Sequence, residues 1–405
     1  MIAARVLKGS RSLIRSMSSL VNPTPEHASL RDLTRKFAEE KVLPQALEHD
    51  REEKFNIGLY KELGELGLLG LTVPAEYGGS DMDAAAVCAV HEELSAADPA
   101  FCLSYLAHSL LFANNLARNG NEDQKQRFLP GACDGSMIGG MGMSEPGYGT
   151  DVLGLQTSAV KQGDNYVLNG QKMWITNGCV DDKTLGDAFL VYARTGPKSL
   201  SLFIVEKGMP GFSLGQRIKN KCGMRASNTA ELVFEDVVIP KANLVGDEGG
   251  AVVCMMRNLE IERVALGAMS LGIARKSLEV MLQYSKDRVA FGKSIGQHGQ
   301  IQKYIGDSYA AYMAGRSYTY DVAGKMSLDA AGNRLATDGV KLYCTTMGKT
   351  VADNAIQVLG GNGYIGEYNV ERLWRDAKLL EIGGGTLESH QKNIVRELAD
   401  IAKIE

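Results

Sequence analysis

A chain of 405 residues with 44% hydrophobic content can bury substantial cores and suits two or three domains. Its formal charge of −4 and the lack of a basic block in its body argue against nucleic acid or a charged membrane surface, and toward a small-molecule partner. Seven cysteines without a C-x-x-C pair, and six histidines without H-E-x-x-H, exclude a disulfide framework and leave no metal expected.

Residues 1–22 carry Arg5, Lys8, Arg11 and Arg15 with several serines, and no acid precedes Glu26. That composition predicts an amphipathic organelle transit peptide, with a disordered basic tail as the alternative. No apolar run approaches the ~20 residues of a membrane span. Residues 26–135 read as a helical domain, with Leu30, Leu33 and Phe37 on one face and Leu59, Leu63 and Leu66 on another. From Ser136 to Val245 the texture changes to a small β domain. Its runs are Tyr166 to Leu168 before a predicted Asn169-Gly170 turn, Ser201 to Val205, and Glu231 to Phe234 continuing to Ile239 and stopping at Pro240. Residues 250–402 return to helical spacing, where Val340, Cys344, Met347, Val351, Ala355 and Val358 form a stripe that predicts a bundle of long helices. The fold class is α+β, mostly helical.

Four segments draw attention as chemistry. In LEIERVALGAM, 259–269, Glu262 interrupts the apolar seam Met255, Leu259, Leu266 and Met269, so it is predicted to point inward. A desolvated carboxylate has a raised pKa and suits proton abstraction near neutrality, although an inward acid can also pair with Arg263 or another cation. Glu260, near the opposite face, is expected to be solvated or paired with Arg263. The run MGMSEPGYGTD, 141–151, can turn N–H groups and the Ser144 and Thr150 hydroxyls toward a phosphate or heterocycle, or serve as a plain glycine-rich connection. In KMWITNG, 172–178, Trp174 and Thr176 share a face if the segment is extended, as a ligand wall or as sheet core. The run GGNGYIG, 360–366, contains G-x-G-x-x-G, but it follows a helical stripe rather than a strand, which argues against a Rossmann turn.

Taken together, MSEPGYGTDV, KMWITNG, RVAFGK, IQVLGGNGYIGEY and RLWRDAKLLEI resemble, in that order, the acyl-CoA dehydrogenase family, over almost everything from Glu26 onward. RNGNEDQK, FIVEKGMPGF, GMRASNT and the LEIER segment resemble its isovaleryl branch most. The resemblance implies an N-terminal helical domain, a middle β domain and a C-terminal four-helix bundle, assembled as a homotetramer. It implies FAD, with Met141, Met143, Ser144, Gly149 and Thr150 and Trp174, Ile175 and Thr176 along the isoalloxazine, and the Thr176 hydroxyl on flavin N5. Arg288 and Phe291, with Gln357, Gly360 and Gly361, match positions reaching a neighbouring subunit's FAD, and Thr386 and Glu388 match positions completing the flavin site. Thr150, Glu260, Arg263, Gly384 and Gly385 match substrate-side positions. The implied reaction is α,β-dehydrogenation of a short branched acyl-CoA, isovaleryl-CoA to 3-methylcrotonyl-CoA in leucine catabolism, with electrons passed to electron-transferring flavoprotein in the mitochondrial matrix. Another short-branched or long-chain acyl-CoA, or an oxidase of the same fold, is the alternative. Many relatives carry the base in a Y-E-G-T segment; here that stretch is IGGGT, 382–386, and Gly384 cannot be a base. The isovaleryl and long-chain branches place it at the position of Glu262, leaving the Gly384 N–H to meet the thioester carbonyl. Gly299 departs from a FAD-side glutamine, with Gln300 next to it, and Val253 from a substrate-side tyrosine.

Overall fold

The computed structural model describes residues 20–399. The transit-peptide expectation lies, apart from its last three positions, outside them. Val21 is already buried, and its carbonyl accepts from Arg31. Among the described residues no helix is long and apolar enough to cross a membrane.

The chain begins with helices α1 (Pro25–Phe37), α2 (Leu43–Glu52), α3 (Ile57–Glu65), α4 (Ala84–Ala97), α5 (Pro99–Leu106), α6 (Asn115–Asn119) and α7 (Glu122–Asp134), with π-helical turns at Ala38–Val42 and Ala107–Asn114. Their boundaries follow from local chemistry. Asp83 and Asp98 cap α4 and α5 by accepting from backbone N–H groups, Pro99 opens α5, and Asn121 with Gln124 makes a reciprocal capping box on α7. Phe37, Leu59 and Leu63 are buried as the spacing predicts, whereas Leu33 and Leu66 are exposed. In α1 the inward face belongs instead to His27, Arg31, Thr34 and Phe37, because Arg31 is drawn in by carboxylates.

Eight strands form one sheet in the order β6-β7-β3-β2-β4-β5-β8, with β1 beside β4. They are β1 (Gly139–Gly142), β2 (Ser158–Gln162), β3 (Asn165–Thr176), β4 (Ala188–Gly196), β5 (Ser199–Glu206), β6 (Phe212–Arg217), β7 (Thr229–Pro240) and β8 (Leu244–Val245). β1 and β4 run parallel, and the β3 and β7 pair is antiparallel. The Asn169-Gly170 turn does not form. β3 continues through it, the register to β7 shifts between Leu168 and Gly170, and Asn169 exchanges hydrogen bonds with Asp236. Gly170, at φ +139, and Asp236, at φ +51, absorb the irregularity, so the pair is a bulge inside a long strand.

The second helical region holds α8 (Ala251–Asp287), α9 (Gly299–Lys325), α10 (Arg334–Leu359), α11 (Gly361–Tyr364), α12 (Val370–Leu380) and α13 (Leu387–Ala399), with a short ribbon of β9 (Val289–Ala290) and β10 (Lys293–Ser294) after α8. α8, α9, α10 and α12 pack as a four-helix bundle, and all six residues of the predicted α10 stripe are buried. This bundle shares one apolar core with the N-terminal helices, while the sheet buries a core of its own. α4 and α8 approach so closely that a Cβ on Gly272 would lie 2.4 Å from the Glu92 carbonyl oxygen.

Candidate active site

The seam on α8 places Glu262 inward, 6% exposed, with Oε2 lacking any hydrogen-bond partner. Burial raises its pKa to about 7, against the pull of Arg263 and Lys341 toward the charged form. Arg263 is not its partner. The Arg263 Nε faces Asp338 Oδ1 at 3.2 Å, an ionic contact without hydrogen-bond geometry. The turn after α12 lies against the carboxylate, since a Cβ on Gly384 would meet Leu266 Cδ1 at 2.3 Å and Glu262 Oε1 at 3.3 Å. Gly384 is therefore glycine for two reasons, that approach and its φ of +66.

Glu260 differs from expectation. It is buried rather than solvated, and it makes no ion pair with Arg263. Its carboxylate accepts from the N–H groups of Gly332 at 3.1 Å and Asn333 at 3.0 Å, because the loop entering α10 leaves those donors without helical partners.

The two glycine- and hydroxyl-bearing runs of the β domain meet. Buried Lys172 of β3 donates to the Met143 carbonyl at 3.1 Å and to Glu145 Oε1 at 2.9 Å, and the Met173 N–H donates to Ser144 O at 2.9 Å. Burial pushes the Glu145 carboxyl up, but hydrogen bonds from Thr157, Gln156 and Lys172 outweigh it and hold it below its ordinary value. Lys172 is lowered to about 8 by burial. These bonds fasten Met143 and Ser144 beside β3 at Lys172 and Met173, just before Ile175 and Thr176. The pair of Lys172 and Glu145 was not singled out in the sequence; an acid and a lysine inside two otherwise glycine-rich and apolar runs were the signal. Lys172→Met removes the buried counter-cation of Glu145, leaving the carboxylate the Gln156 and Thr157 N–H donors alone, and is expected to cost about 3 kcal/mol of stability. An unchanged denaturant midpoint would show that those two N–H donors suffice without the cation.

Trp174 does not share an extended face with Thr176, because it sits at φ +60 where the β3 register shifts. Trp174 is 55% exposed, which excludes the sheet-core reading. Gly149 and Thr150 are exposed beyond it, and a Cβ on Gly147 or Gly149 would meet nothing within 4 Å. Among the described residues no hydrogen bond uses the Ser144 or Thr176 hydroxyl.

A second concavity, about 590 Å³, gathers Arg288, Phe291, Gly360 and Gly361 with Tyr284 and His298. Exposed Arg288 has no carboxylate partner among the described residues, Phe291 is 95% exposed, and Gly360 and Gly361 leave open space beside them. Gln357 is exposed on the last turn of α10 and outside this lining. Gly360 follows helix α10, so G-x-G-x-x-G is no Rossmann turn here. Thr386 opens α13, accepting from the Ser389 N–H at 3.3 Å, with Glu388 exposed in the first turn. Gly299 and Gln300 are exposed at the start of α9, and Val253 is exposed on the first turn of α8. One chain thus carries a hydroxyl-lined ledge with an exposed indole, a cationic and aromatic pocket, and a desolvated carboxylate under a glycine turn. An open ledge and an unpaired guanidinium fit a large anionic aromatic cofactor.

Residues 24–136, 140–237 and 248–399 match the N-terminal, middle and C-terminal domains of acyl-CoA dehydrogenase. The chain is 42% identical over 396 residues to isovaleryl-CoA dehydrogenase, mitochondrial, of Pongo abelii, covering 95% of this chain and 92% of that one. It is 40% identical over 408 residues to 2-methylacyl-CoA dehydrogenase, mitochondrial, of Solanum tuberosum, covering 98% and 97%. The solved butyryl-CoA dehydrogenase of Megasphaera elsdenii superposes with a TM-score of 0.88 at 34% identity, over 93% of this chain and 98% of that one. With all three domains matched in order and a buried carboxylate under the glycine turn, the chain belongs to the acyl-CoA dehydrogenase family.

Proposed function

We propose that this protein oxidises a short branched acyl-CoA, isovaleryl-CoA first, across its α and β carbons. The observation that carries the reading is Glu262, a buried carboxylate with an unpartnered oxygen and a pKa near neutrality, facing the Gly384 turn. Glu262 takes the α proton, and its desolvation makes it basic enough for that task at physiological pH. FAD, when bound, supplies the acceptor for the hydride that leaves the β carbon, so two electrons and one proton leave with the hydride and the substrate gains a C=C bond. The Gly384 N–H meets the thioester carbonyl, where negative charge develops as the α proton departs. Ser144, Thr176 and Trp174 hold and wall the cofactor. Gly149 and Thr150 continue that wall, and Thr386 and Glu388 complete it.

Arg288 and Phe291 serve the cofactor of a neighbouring subunit in a homotetramer, which accounts for a cation and an aromatic ring left exposed in one chain. Arg288→Ala is expected to lower bound flavin in every subunit by more than half, measured as the ratio of visible to protein absorbance. Full flavin content in that variant contradicts the shared site. The 2-methylacyl-CoA relative, nearly as similar and covering as much of the chain, favours a second substrate, 2-methylbutyryl-CoA. Turnover on isovaleryl-, 2-methylbutyryl-, butyryl- and palmitoyl-CoA decides between them. A preference for the straight chains removes the branched assignment, and peroxide release in air without an added acceptor would mark an oxidase instead. The names of both relatives and the basic composition of the first residues support a mitochondrial location, for which we propose the matrix, with electron-transferring flavoprotein as the acceptor.

A further inference from the structure

The Gly384-Gly385 turn has two successive residues at positive φ, +66 and +96, and without side chains its conformation is not held by its own sequence. It is held from outside. Lys341 Nζ donates to the Gly385 carbonyl at 2.6 Å, and His390 Nε2 lies 3.0 Å from the same oxygen. The other ring nitrogen, Nδ1, is 2.5 Å from Asp338 Oδ1. Both ring nitrogens face oxygen atoms, so the ring is tied to α10 on one side and to the turn on the other. Asp338 and Lys341, three residues apart on α10, present one face, and Asp338 also faces Arg263 of α8. A Cβ on Gly385 would lie 2.9 Å from His390 Nε2, so the imidazole packs directly on the turn. Lys341, Asp338 and His390 are all buried, an expensive arrangement for a bundle interior unless the groups are matched.

We infer that Lys341 and His390 are positioning residues: they clamp the Gly385 carbonyl and thereby aim the Gly384 N–H at the substrate thioester beside Glu262. This rests on the reading that Glu262 is the base. Neither side chain touches the reacting atoms; His390 acts through the turn alone, whereas Lys341 also pulls Glu262 toward its charged form, so His390→Gln is the variant that isolates positioning.

The test uses the FAD-loaded enzyme and two ligands, isovaleryl-CoA and the corresponding thioether, 3-methylbutyl-CoA, which lacks the carbonyl. In Lys341→Met the anaerobic rate of flavin bleaching at saturating isovaleryl-CoA is expected to fall between 10-fold and 100-fold, somewhat less than losing an oxyanion donor outright, roughly 10²–10³. Thioether affinity, read from the flavin spectral shift, stays within about twofold, and Lys341→Arg recovers much of the rate. His390→Gln should show the same split and carries the comparison if Lys341→Met loses flavin. A bleaching rate within twofold of the parent, equal losses for thioester and thioether, or loss of flavin from both variants would overturn the inference. Glu262→Gln run alongside separates the two readings: rapid bleaching there sinks the base assignment and leaves the thioester and thioether comparison intact.

Discussion

Glu262→Gln is expected to keep its flavin and bind acyl-CoA while bleaching at least about 10³-fold more slowly, because only the proton acceptor is removed. The same residue should govern the pH dependence. At low substrate concentration the rate rises through about pH 7 as the carboxyl ionises, and levels off above. A folded-state pKa of about 7 against the ordinary 4.5 means the folded chain holds more protons than the unfolded chain between those values. Stability therefore falls as pH rises across that window, and the penalty is fully present above it. Glu262→Gln escapes this penalty, so its advantage in unfolding free energy, small at pH 5, should grow toward about 3 kcal/mol at pH 8. An advantage that does not change with pH would show that the carboxyl is not held desolvated in the free protein.

The largest stability effect belongs elsewhere. Glu92 of α4 is fully buried and accepts from Arg31 of α1 at 3.0 Å and from Arg316, Tyr312 and Tyr320 of α9 at 2.9, 3.0 and 2.6 Å. Glu93 beside it holds Arg31, Arg35 and Arg275. Glu92→Ala leaves two guanidinium groups short of an acceptor in the junction between the helical regions, and should cost about 4 kcal/mol. Burial pushes the Glu92 carboxyl up, but Arg316, Arg31 and Arg275 hold it far below the ordinary range. Its contribution is present above pH 4.5 and is lost as pH falls through its depressed value. The gap in denaturation midpoint between parent and Glu92→Ala should thus be full at pH 7 and narrow only under strong acid. A gap that vanishes already by pH 5 would contradict the network.

The helical and β textures were readable because burial imposes periodicity. The Val340 to Val358 stripe and the inward Glu262 follow from spacing on one helix. What spacing could not show is how elements from distant parts of the chain share charge. Leu33 lost its place to Arg31 because carboxylates 61 and 62 residues onward in sequence draw the guanidinium inward, and no local pattern records them. Asn169-Gly170 carries the composition of a hairpin turn, yet cross-strand pairing with Asp236 made it a bulge. A helical face opposite Glu262 predicts Glu260 in solvent or paired with Arg263, but the loop before α10 covers that face. Asp338 and Lys341 lie at i,i+3 next to the apolar stripe, and that second, charged face was the available signal for the clamp on the glycine turn.

The central claim is tested most directly by the visible absorption spectrum of the purified protein, recorded anaerobically before and after one equivalent of isovaleryl-CoA. The account predicts a flavin band that bleaches promptly in the parent protein and only very slowly in Glu262→Gln. A flavin band that persists in the parent with isovaleryl-CoA and with 2-methylbutyryl-CoA, or one that bleaches equally fast in both proteins, would contradict it.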